Sequence, residues 1–442
     1  MDNGHLRRVA YRLRQNNSSF ERFHLPLDDL SNVTDFTRAL ASNSTVKEVS
    51  IFCEFLMDES WLSQEVWRLF RTLGRLPKLE RIVWDFIGSD GDKLPVSLLA
   101  ATIRNASKLQ VLELSCVHLT GSLDDFQTFS QALRQKPKLQ KLHIYACYLS
   151  EEYRDSSRYI LGPVLEEMAR LPNLQDALIT ALDFNSLGRL SSESLGNLLH
   201  LSPKLRNLVL GEFALDDQHL VAMSVALENK RTLKELSFGC ELGAPGAEAL
   251  CNILRSNSNV SSLETLHVHL AYLDGGEGHH VSIANALREN DVLKRFSLFG
   301  SSGNLTNNAF QAFVDMMETN YTLEEVEFQD ENESLQPQLD MYLKLNTQGR
   351  AKLLKDETST RQDWINALLE LREDLDCVFH LISLNPAILS PEDINLTGRG
   401  TKRKLEFSDD EDGDDEDSDD EDSDDEDDDA CTSSYSDDDL SS

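Results

Sequence analysis

Three stretches in the second half of the chain, LETLHV at 263–268, LKRFSL at 293–298 and LEEVEF at 323–328, place apolar residues at their first, fourth and sixth positions. The fourth and sixth positions point to one side of an extended strand, because side chains alternate along a strand. Each stretch precedes a segment with helical spacing, and the three copies follow one another at a constant interval. One strand and one helix in each unit of constant length predict a solenoid of stacked repeats.

The same pattern occurs throughout the chain from Phe20 to Phe328. There are eleven copies, and the intervals between successive first positions range from 26 to 35. Such regularity is typical of a repeat array, which can take up most of a 442-residue chain as one extended body. The copy at Leu174 is the weakest, because Ala177 replaces its core leucine. The first positions are Phe20, Val46, Leu79, Leu109, Leu139, Leu174, Leu205, Leu233, Leu263, Leu293 and Leu323.

The segments between the strands carry the spacing of one helix face. In two repeats, large apolar residues lie 17, 20 and 24 positions after the first strand position. This spacing predicts amphipathic helices. An asparagine follows several of them, and we expect it to end the helix in the left-handed conformation. The helix residues are Phe126, Phe129, Leu133, Phe310, Phe313 and Met317, with Val33, Phe36 and Leu40 in the short first repeat; the asparagines are Asn43, Asn105, Asn290 and Asn320.

The LxxLxL strand followed by a helix resembles the ribonuclease-inhibitor-like (RNI-like) class of leucine-rich repeat proteins, over roughly residues 18–330. The resemblance implies an α/β fold, a right-handed leucine-rich-repeat horseshoe solenoid of about eleven strand-helix repeats, with strands inside and helices outside. In this class an Asn or Cys after the strand bonds to the turning backbone. Cys147 lies at that position, whereas Cys116 and Cys240 lie one residue early.

The repeat period ends near Leu335, beyond which we expect a helical cap over the last repeat. Residues 338–355 and 362–384 have helical spacing; the alternative to a cap is an effector helix for a partner. The expected apolar stripe is Trp364, Leu368, Leu371, Leu375, Val378 and Ile382. The predicted parts are 1–17, an N-terminal segment or cap; 18–334, the leucine-rich repeat domain; 335–389, the helical C-terminal cap; 390–407, a linker with a basic cluster; and 408–442, a disordered acidic tail.

A partner should bind at the third, fifth and seventh strand positions, which face away from the core. These positions hold four bases and seven acids among scattered aromatics, which favours a polypeptide over a nucleic acid, since phosphates require clustered Lys and Arg. Aromatic anchors tend to dominate binding energy, so Tyr145 and Phe299 lead the candidates. The predicted partner-binding residues are Tyr145, Phe299, His143, His267, Arg295, Glu325 and Glu327.

Two histidines are candidates for a metal site. His267 and His269 share one strand face, and Glu277, His279 and His280 follow in an expected loop. No adjacent inner-face position supplies an obvious third ligand. His280 also lies at the helix offset occupied by phenylalanine in other repeats, which favours packing as its role.

The sequence excludes several other classes of protein. It contains no P-loop, nucleophile elbow, HExxH or dinucleotide fingerprint, so we predict no catalytic residues, no enzyme activity and no cofactor. The seven scattered cysteines lack a CxxC pair, which argues against disulfides and zinc. Without an apolar signal segment or a run of ~20 apolar residues, we expect a soluble, monomeric intracellular protein, cytoplasmic or nuclear, that binds no membrane.

The negative charge is concentrated at one end of the chain. Residues 408–442 contain 21 Asp and Glu and no Lys or Arg, which leaves 56 acids against 42 bases in residues 1–407. Such a segment should act as a polyanion that attracts basic proteins, for example histones; the alternative is a solubilising tail only. The basic residues Lys402, Arg403 and Lys404 form a candidate nuclear import signal. Three serines that each precede Asp-Asp-Glu resemble acidophilic kinase sites and suggest a phosphoprotein: Ser408, Ser418 and Ser423.

These features predict a non-catalytic protein–protein interaction scaffold that binds a polypeptide on its inner strand face and basic proteins through its tail. Repeats with an acidic tail also resemble the GTPase-activating proteins of the Ran type, although no functional Arg or Asn of that family matches a position here. A third resemblance is to the acidic nuclear leucine-rich-repeat phosphoproteins, which would imply a histone-chaperone-like regulator.

Overall fold

A computed structural model describes most of the chain as far as Leu389, and the described residues belong to one compact unit within Met1–Leu389. The described ranges are 4–16, 21–26, 33–53, 64–86, 93–115, 118–149, 162–181, 191–256, 262–273, 277–300, 305–329, 332–356 and 358–389.

Eleven strands form one parallel sheet in chain order, and each comes from one copy of the predicted pattern. Equivalent positions pair across neighbouring strands, so that Leu236 lies beside Leu266 and Leu266 beside Phe296. The structure confirms the leucine-rich-repeat solenoid. Numbered in chain order with two short strands described below, these are β1 Arg22–Pro26, β2 Glu48–Cys53, β3 Arg81–Phe86, β5 Val111–Ser115, β7 Lys141–Leu149, β8 Asp176–Ala181, β9 Asn207–Leu215, β10 Glu235–Leu242, β11 Thr265–Leu273, β12 Arg295–Gly300 and β13 Glu325–Phe328.

The apolar pattern positions form the core. Those with described side chains are buried at the first, fourth and sixth positions, including Ala177 in the weakest copy; Phe328 in the last repeat is partly buried. Alternation along the strand is the cause, since it turns the fourth and sixth residues of every repeat toward the helices. The sheet therefore has one face packed on the helices and one that carries the third, fifth and seventh residues.

Two very short strands were not expected from the sequence. They are β4 Lys93–Pro95 and β6 His118–Thr120, which pair with each other in parallel. β6 also pairs with the end of β7, where Leu119 lies beside Leu149. Segments this short carry too few residues for an apolar period to be visible.

One helix layer accompanies the sheet, and its members pack side by side in chain order. All nine apolar helix residues quoted from the sequence are buried. The first helix was not predicted, because it is rich in arginine; its residues Val9, Ala10 and Leu13 are buried. The layer consists of α1 Gly4–Arg14, α2 Val33–Ala41, α3 Gln64–Gly74, α4 Val96–Asn105, α5 Leu123–Arg134, α6 Gly162–Ala169, α7 Ser192–Leu201, α8 Asp217–Leu227, α9 Ala244–Ser256, α10 Glu277–Arg288 and α11 Asn307–Met317.

The asparagines near the helix ends act differently from our expectation. Among described non-glycine residues only Asn16 has a positive φ, so the left-handed role was wrong for all four. Asn320 is buried, and its Nδ2 donates to Leu287 O (2.7 Å) of the preceding repeat. Its Oδ1 accepts from the backbone of Leu323 (3.0 Å). Asn43 and Asn290 make the equivalent bonds, to Leu13 O and Leu254 O, whereas Asn105 lies one position earlier and is exposed.

Lysine occupies the position of these asparagines in two other repeats. Lys136 Nζ donates to Arg104 O at 2.7 Å, and Lys230 Nζ donates to Ser202 O. Both side chains are buried, and burial lowers the pKa of each ammonium group to about 8. Two kinds of side chain thus satisfy the same need, since carbonyl groups at the end of each helix lack a partner within the helix.

Four helices and a 3-10 turn follow the last strand and cap the solenoid: α12 Gln336–Thr347, α13 Arg350–Lys355, α14 Arg361–Glu370, α15 Leu375–Leu384 and the turn Pro386–Leu389. Asn346 continues the asparagine series by donating to Asn320 O (3.0 Å). The buried guanidinium of Arg350 donates to Met317 O and Glu318 O at the end of α11 and lies over the ring of Tyr342. These contacts close the last repeat.

Each of the two predicted cap helices is divided into two. Gly349, with φ +82°, separates α12 from α13, because this left-handed conformation ends a helix. The predicted apolar stripe is also only partly correct. Trp364 and Leu371 are buried and Leu368 packs against the core, but Leu375 is 77% exposed.

Three cysteine thiols are described, those of Cys240, Cys251 and Cys377; all are buried and form no disulfide. The side chains of Cys116 and Cys147 lie outside the described part. No helix within the described ranges has the length and apolar character needed to cross a membrane.

Candidate functional site

We call the side of the sheet that carries the third, fifth and seventh pattern residues the open face. The alternation is clear in β7: Leu142 and Ile144 are buried, whereas Lys141 and His143 are partly exposed and Tyr145 is 51% exposed. This is the surface on which the sequence placed every predicted partner-binding residue.

A ladder of opposite charges crosses the first half of the open face. Arg81 lies at the centre of its first part, with Nη2 2.8 Å from Glu113 and Nε 3.5 Å from Glu48. Burial raises the pKa of Glu113, but the hydrogen bonds and charges of Lys141 and Arg81 outweigh burial and lower it. Glu113 therefore stays ionised. The remaining pairs of the ladder are Arg22–Glu48 (3.0 Å), Lys141–Glu113 (2.9 Å) and Lys141–Asp176 (3.8 Å).

A second polar network connects the last three strands. His267 Nδ1 lies 2.8 Å from Ser297 Oγ, and Ser297 Oγ donates to Glu327 Oε2 at 2.9 Å. Because the Ser297 hydroxyl donates its one hydrogen to the carboxylate, the hydrogen bond between His267 and Ser297 must be donated by His267 Nδ1–H and accepted by Ser297 Oγ. Beside this row, Arg295 and Glu325 form an ion pair of 3.2 Å.

Between the two networks, Asp176 and Glu235 hold third positions, but the fifth and seventh positions of three strands carry no ionisable side chain. On β8, β9 and β10 the fifth and seventh positions hold only small or apolar residues, which we call the central patch: Leu178, Thr180, Val209, Gly211, Ser237 and Gly239. Gly211 is required for the fit, because a Cβ there would lie 2.6 Å from the side chain of Thr180. Ser237 and Gly239 are buried, so the accessible part of the central patch is formed by Leu178, Thr180, Val209 and Gly211, which are partly exposed.

Aromatic side chains border the central patch on both sides. Tyr145 on β7 lies before it, and His269 on β11 stacks on Phe299 of β12 after it, with ring centroids 5.2 Å apart. Burial, and to a smaller extent the charge of His267, lower the pKa of His269, which favours the neutral ring. Tyr145 and His269 are four strands apart, or about 19 Å at the usual strand spacing. This width accommodates an α-helix or an extended peptide.

The seven predicted partner-binding residues thus fall into two groups. His143 and Tyr145 lie together on β7, and His143 Nε2 is 3.1 Å from Asp176 Oδ1, at ion-pair distance but without hydrogen-bond alignment. The other five lie on β11 to β13, at His267, Arg295, Phe299, Glu325 and Glu327. Phe299 is partly buried by its stacking, so it is a less prominent anchor than expected from strand alternation.

The sequence did not single out the central patch, although a signal was present. Three successive repeats lack any ionisable side chain, histidine included, at both the fifth and seventh positions. The charge ladder also had a signal in the alternating signs of Arg22, Glu48 and Arg81 at one repeat position. The total of acids and bases on the open face does not show the central patch or the charge ladder, because both depend on which strand carries each residue.

The two metal candidates have other partners. His267 is held by Ser297, and His269 by stacking on Phe299. We expected a loop at Glu277, His279 and His280, but the structure places these residues in the first turn of α10. Among the described residues, no group of three or more His, Cys, Asp or Glu side chains is placed to hold a metal ion.

A cavity of about 470 Å³ lies at the N-terminal ends of α5, α6 and α7. Glu166 is the only ionisable residue among its described lining residues, so these do not supply an acid–base pair. The import candidates Lys402, Arg403 and Lys404 and the phosphorylation candidates Ser408, Ser418 and Ser423 lie outside the described residues.

No protein-family model and no curated protein matches this sequence. Among solved structures, the tropomodulin C-terminal domain of Caenorhabditis elegans is similar at 15% identity and a TM-score of 0.31, over 37% of this chain and 98% of that one. Leiomodin-1 actin-binding site 2 is similar at 15% identity and a TM-score of 0.27, over 45% of this chain and 95% of that one. Scores this low support no functional transfer, and the leucine-rich-repeat fold rests on the chain's own eleven repeats.

Proposed function

We propose that this chain is a non-catalytic scaffold of the RNI-like leucine-rich-repeat class, which binds a polypeptide partner across the open face. The observation that supports this function is the central patch with its aromatic borders. An interface can exclude water over a surface that lacks charge and is bordered by large aromatic side chains. The charged residues on either side can orient the partner.

The paired charges favour a polypeptide over a nucleic acid. A phosphate backbone requires basic groups available for contact, but Arg81 and Lys141 are already engaged by carboxylates within the sheet. A helix or strand of a partner can instead lay apolar side chains on Leu178 and Val209. Its polar ends would then lie beside the two charge networks.

The test is capture of partners by the full chain and by three variants. Tyr145→Ala and Val209→Arg should each remove the same protein from the captured set and lower its affinity by about tenfold or more, because they alter a border and the centre of one surface. Val225→Gln, a control on the exposed side of α8, should leave capture unchanged. Melting temperatures within about 2 °C of each other would show that all three fold.

Equal capture by Tyr145→Ala, Val209→Arg and the unaltered chain would contradict binding on the open face. Loss of capture with Val225→Gln alone would move the interface to the helix layer.

The acidic tail is a second proposed binding element, and its support is the sequence alone. Its 21 carboxylates without a counter-charge favour basic partners. No described residue adds support for GTPase activation or for a histone-chaperone role.

A further inference from the structure

The cap has an unusual share of the exposed apolar surface. Eleven large apolar side chains are exposed among the described residues, and five of them lie between Leu369 and Leu389. They are Leu369, Leu375, Phe379, Leu384 and Leu389. Single exposed apolar residues are common, but a cluster in one short segment is typical of an interaction site.

Only some of the apolar side chains of helix α15 are buried against the rest of the protein. Cys377 and Leu381 are buried against the rest of the cap. Leu375 and Phe379, one turn apart on another side of the helix, are 77% and 75% exposed. Ile382, one further turn along, is partly buried. We call Leu375, Phe379 and Ile382 the cap stripe; it has the i, i+4, i+7 spacing of one helix face.

Acidic residues lie next to the N-terminal end of the cap stripe. Glu370, Glu373 and Asp376 are exposed, and the one base between them, Arg372, lies 3.9 Å from Glu373. Asp374 is already paired with Lys344 at 2.7 Å. The local excess of negative charge disfavours a second copy of this chain, whose own net charge is −35, and it disfavours an anionic lipid surface for the same reason.

We propose that the cap stripe is a docking site for an amphipathic helix of another protein, with an apolar face flanked by Lys or Arg. Such a helix would pack along α15 at the usual separation of about 8–10 Å between helix axes and insert its apolar side chains beside Leu375 and Phe379. Its basic flank would then face Glu373 and Asp376. This site is separate from the open face, so either proposal can fail without the other.

The test uses two synthetic peptides of about 18 residues, or five helical turns, and identical leucine and lysine composition. One peptide places its leucines on a single helix face, and the other distributes them around the helix. Fluorescence anisotropy with the full chain should show about tenfold or greater preference for the first peptide. The second peptide has the same charge and therefore reports attraction by charge alone, to the acidic tail or to the rest of the chain.

Two variants locate the binding. Leu375→Gln/Phe379→Gln should reduce the affinity for the first peptide to that for the second. Val221→Gln/Val225→Gln, a control pair of exposed apolar residues also one turn apart on α8, should not change it. Because all four side chains are exposed, circular dichroism should show unaltered unfolding.

Three results would overturn the proposal. Equal affinity for the two peptides would mean that charge alone is recognised. An unchanged affinity in Leu375→Gln/Phe379→Gln would place the binding elsewhere. Sedimentation that shows a dimer of the wild type, lost in the same variant, would make a second copy the occupant.

Discussion

At the scale of single residues, the repeats are connected by buried hydrogen bonds as well as by apolar packing. Asn43, Asn290 and Asn320 each reach from one repeat to a carbonyl group of the repeat before. A carbonyl group at a helix end that is buried without a partner destabilises the fold, because it loses its hydrogen bond to water. The asparagine supplies a side-chain donor to this carbonyl group, which at Leu13 and Leu287 also accepts one backbone N–H. Its own side-chain oxygen accepts from the backbone at the start of the next strand.

Asn320→Ala should lower the free energy of unfolding by about 1–3 kcal/mol, because it removes the side-chain donor to Leu287 O and Asn290 O and leaves the backbone N–H groups of Thr322 and Leu323 without their partner. Urea unfolding of the full chain, followed by circular dichroism, measures the change. Asn105→Ala is the matched control, since Asn105 is exposed and should change stability by less than about 0.5 kcal/mol. Equal effects of the two substitutions would contradict the bridging role.

The sequence showed that these asparagines recur near the helix ends, but it did not predict their hydrogen bonds. Their partners lie a whole repeat earlier in the chain, and a local conformational preference carries no information on such a bond. The two buried lysines could not be predicted at all. Lys136 and Lys230 would ordinarily be assigned to the surface, and only the stacked repeats place a carbonyl group within reach of each.

At the scale of elements, the spacing between neighbouring helices is set by the small residues where they meet. Gly74, the last residue of α3, lies so close to α4 that an added Cβ would be 2.0 Å from Thr102 O. Backbone atoms cannot move aside as a side-chain end can. This close approach explains a glycine that helix propensity alone would disfavour.

Gly74→Ala should therefore destabilise the protein by about 1–3 kcal/mol, because α3 and α4 must separate. Gly278→Ala is the contrasting substitution in α10, where a Cβ would meet nothing within 4 Å. There the better helix propensity of alanine should leave stability unchanged or raise it by up to about 1 kcal/mol. Thermal and urea unfolding of both variants measure the difference. A Gly74→Ala variant as stable as the wild type would show that the two helices tolerate the shift.

The sequence predicted the elements that bury apolar side chains along their whole length. The eleven strands and the quoted helix faces bury large side chains at fixed offsets, so their period is visible. The missed elements lack such a face: α1 is largely polar, and β4 and β6 are very short. In the cap the helical period was correct, but period alone could not show that Leu375 would be left exposed.

At the scale of the whole molecule, one continuous apolar core runs from Val9 in α1 to Ile388 beyond α15. Each repeat is stabilised mainly by its two neighbours, so the ends need covers. Arg350 and Asn346 bind the cap to the last repeat, and α1 packs on α2 at the other end. The two proposed binding surfaces use different parts of this body, the open face of its sheet and helix α15 of its cap.

The acidic tail is proposed to bind basic proteins by charge. Removal of residues 408–442 takes away 21 carboxylates and no base, so a chain ending at Phe407 should lose most of its affinity for a basic protein such as a histone. The difference should shrink as salt shortens the Debye length from about 10 Å at 0.1 M to about 3 Å at 1 M. Titration of the histone against both chains, at both salt concentrations, measures the effect. Phosphorylation at Ser408, Ser418 and Ser423 would add about −1.5 to −2 charges per site and should strengthen binding further. Equal affinities of the two chains at low salt would mean that the tail contributes solubility only.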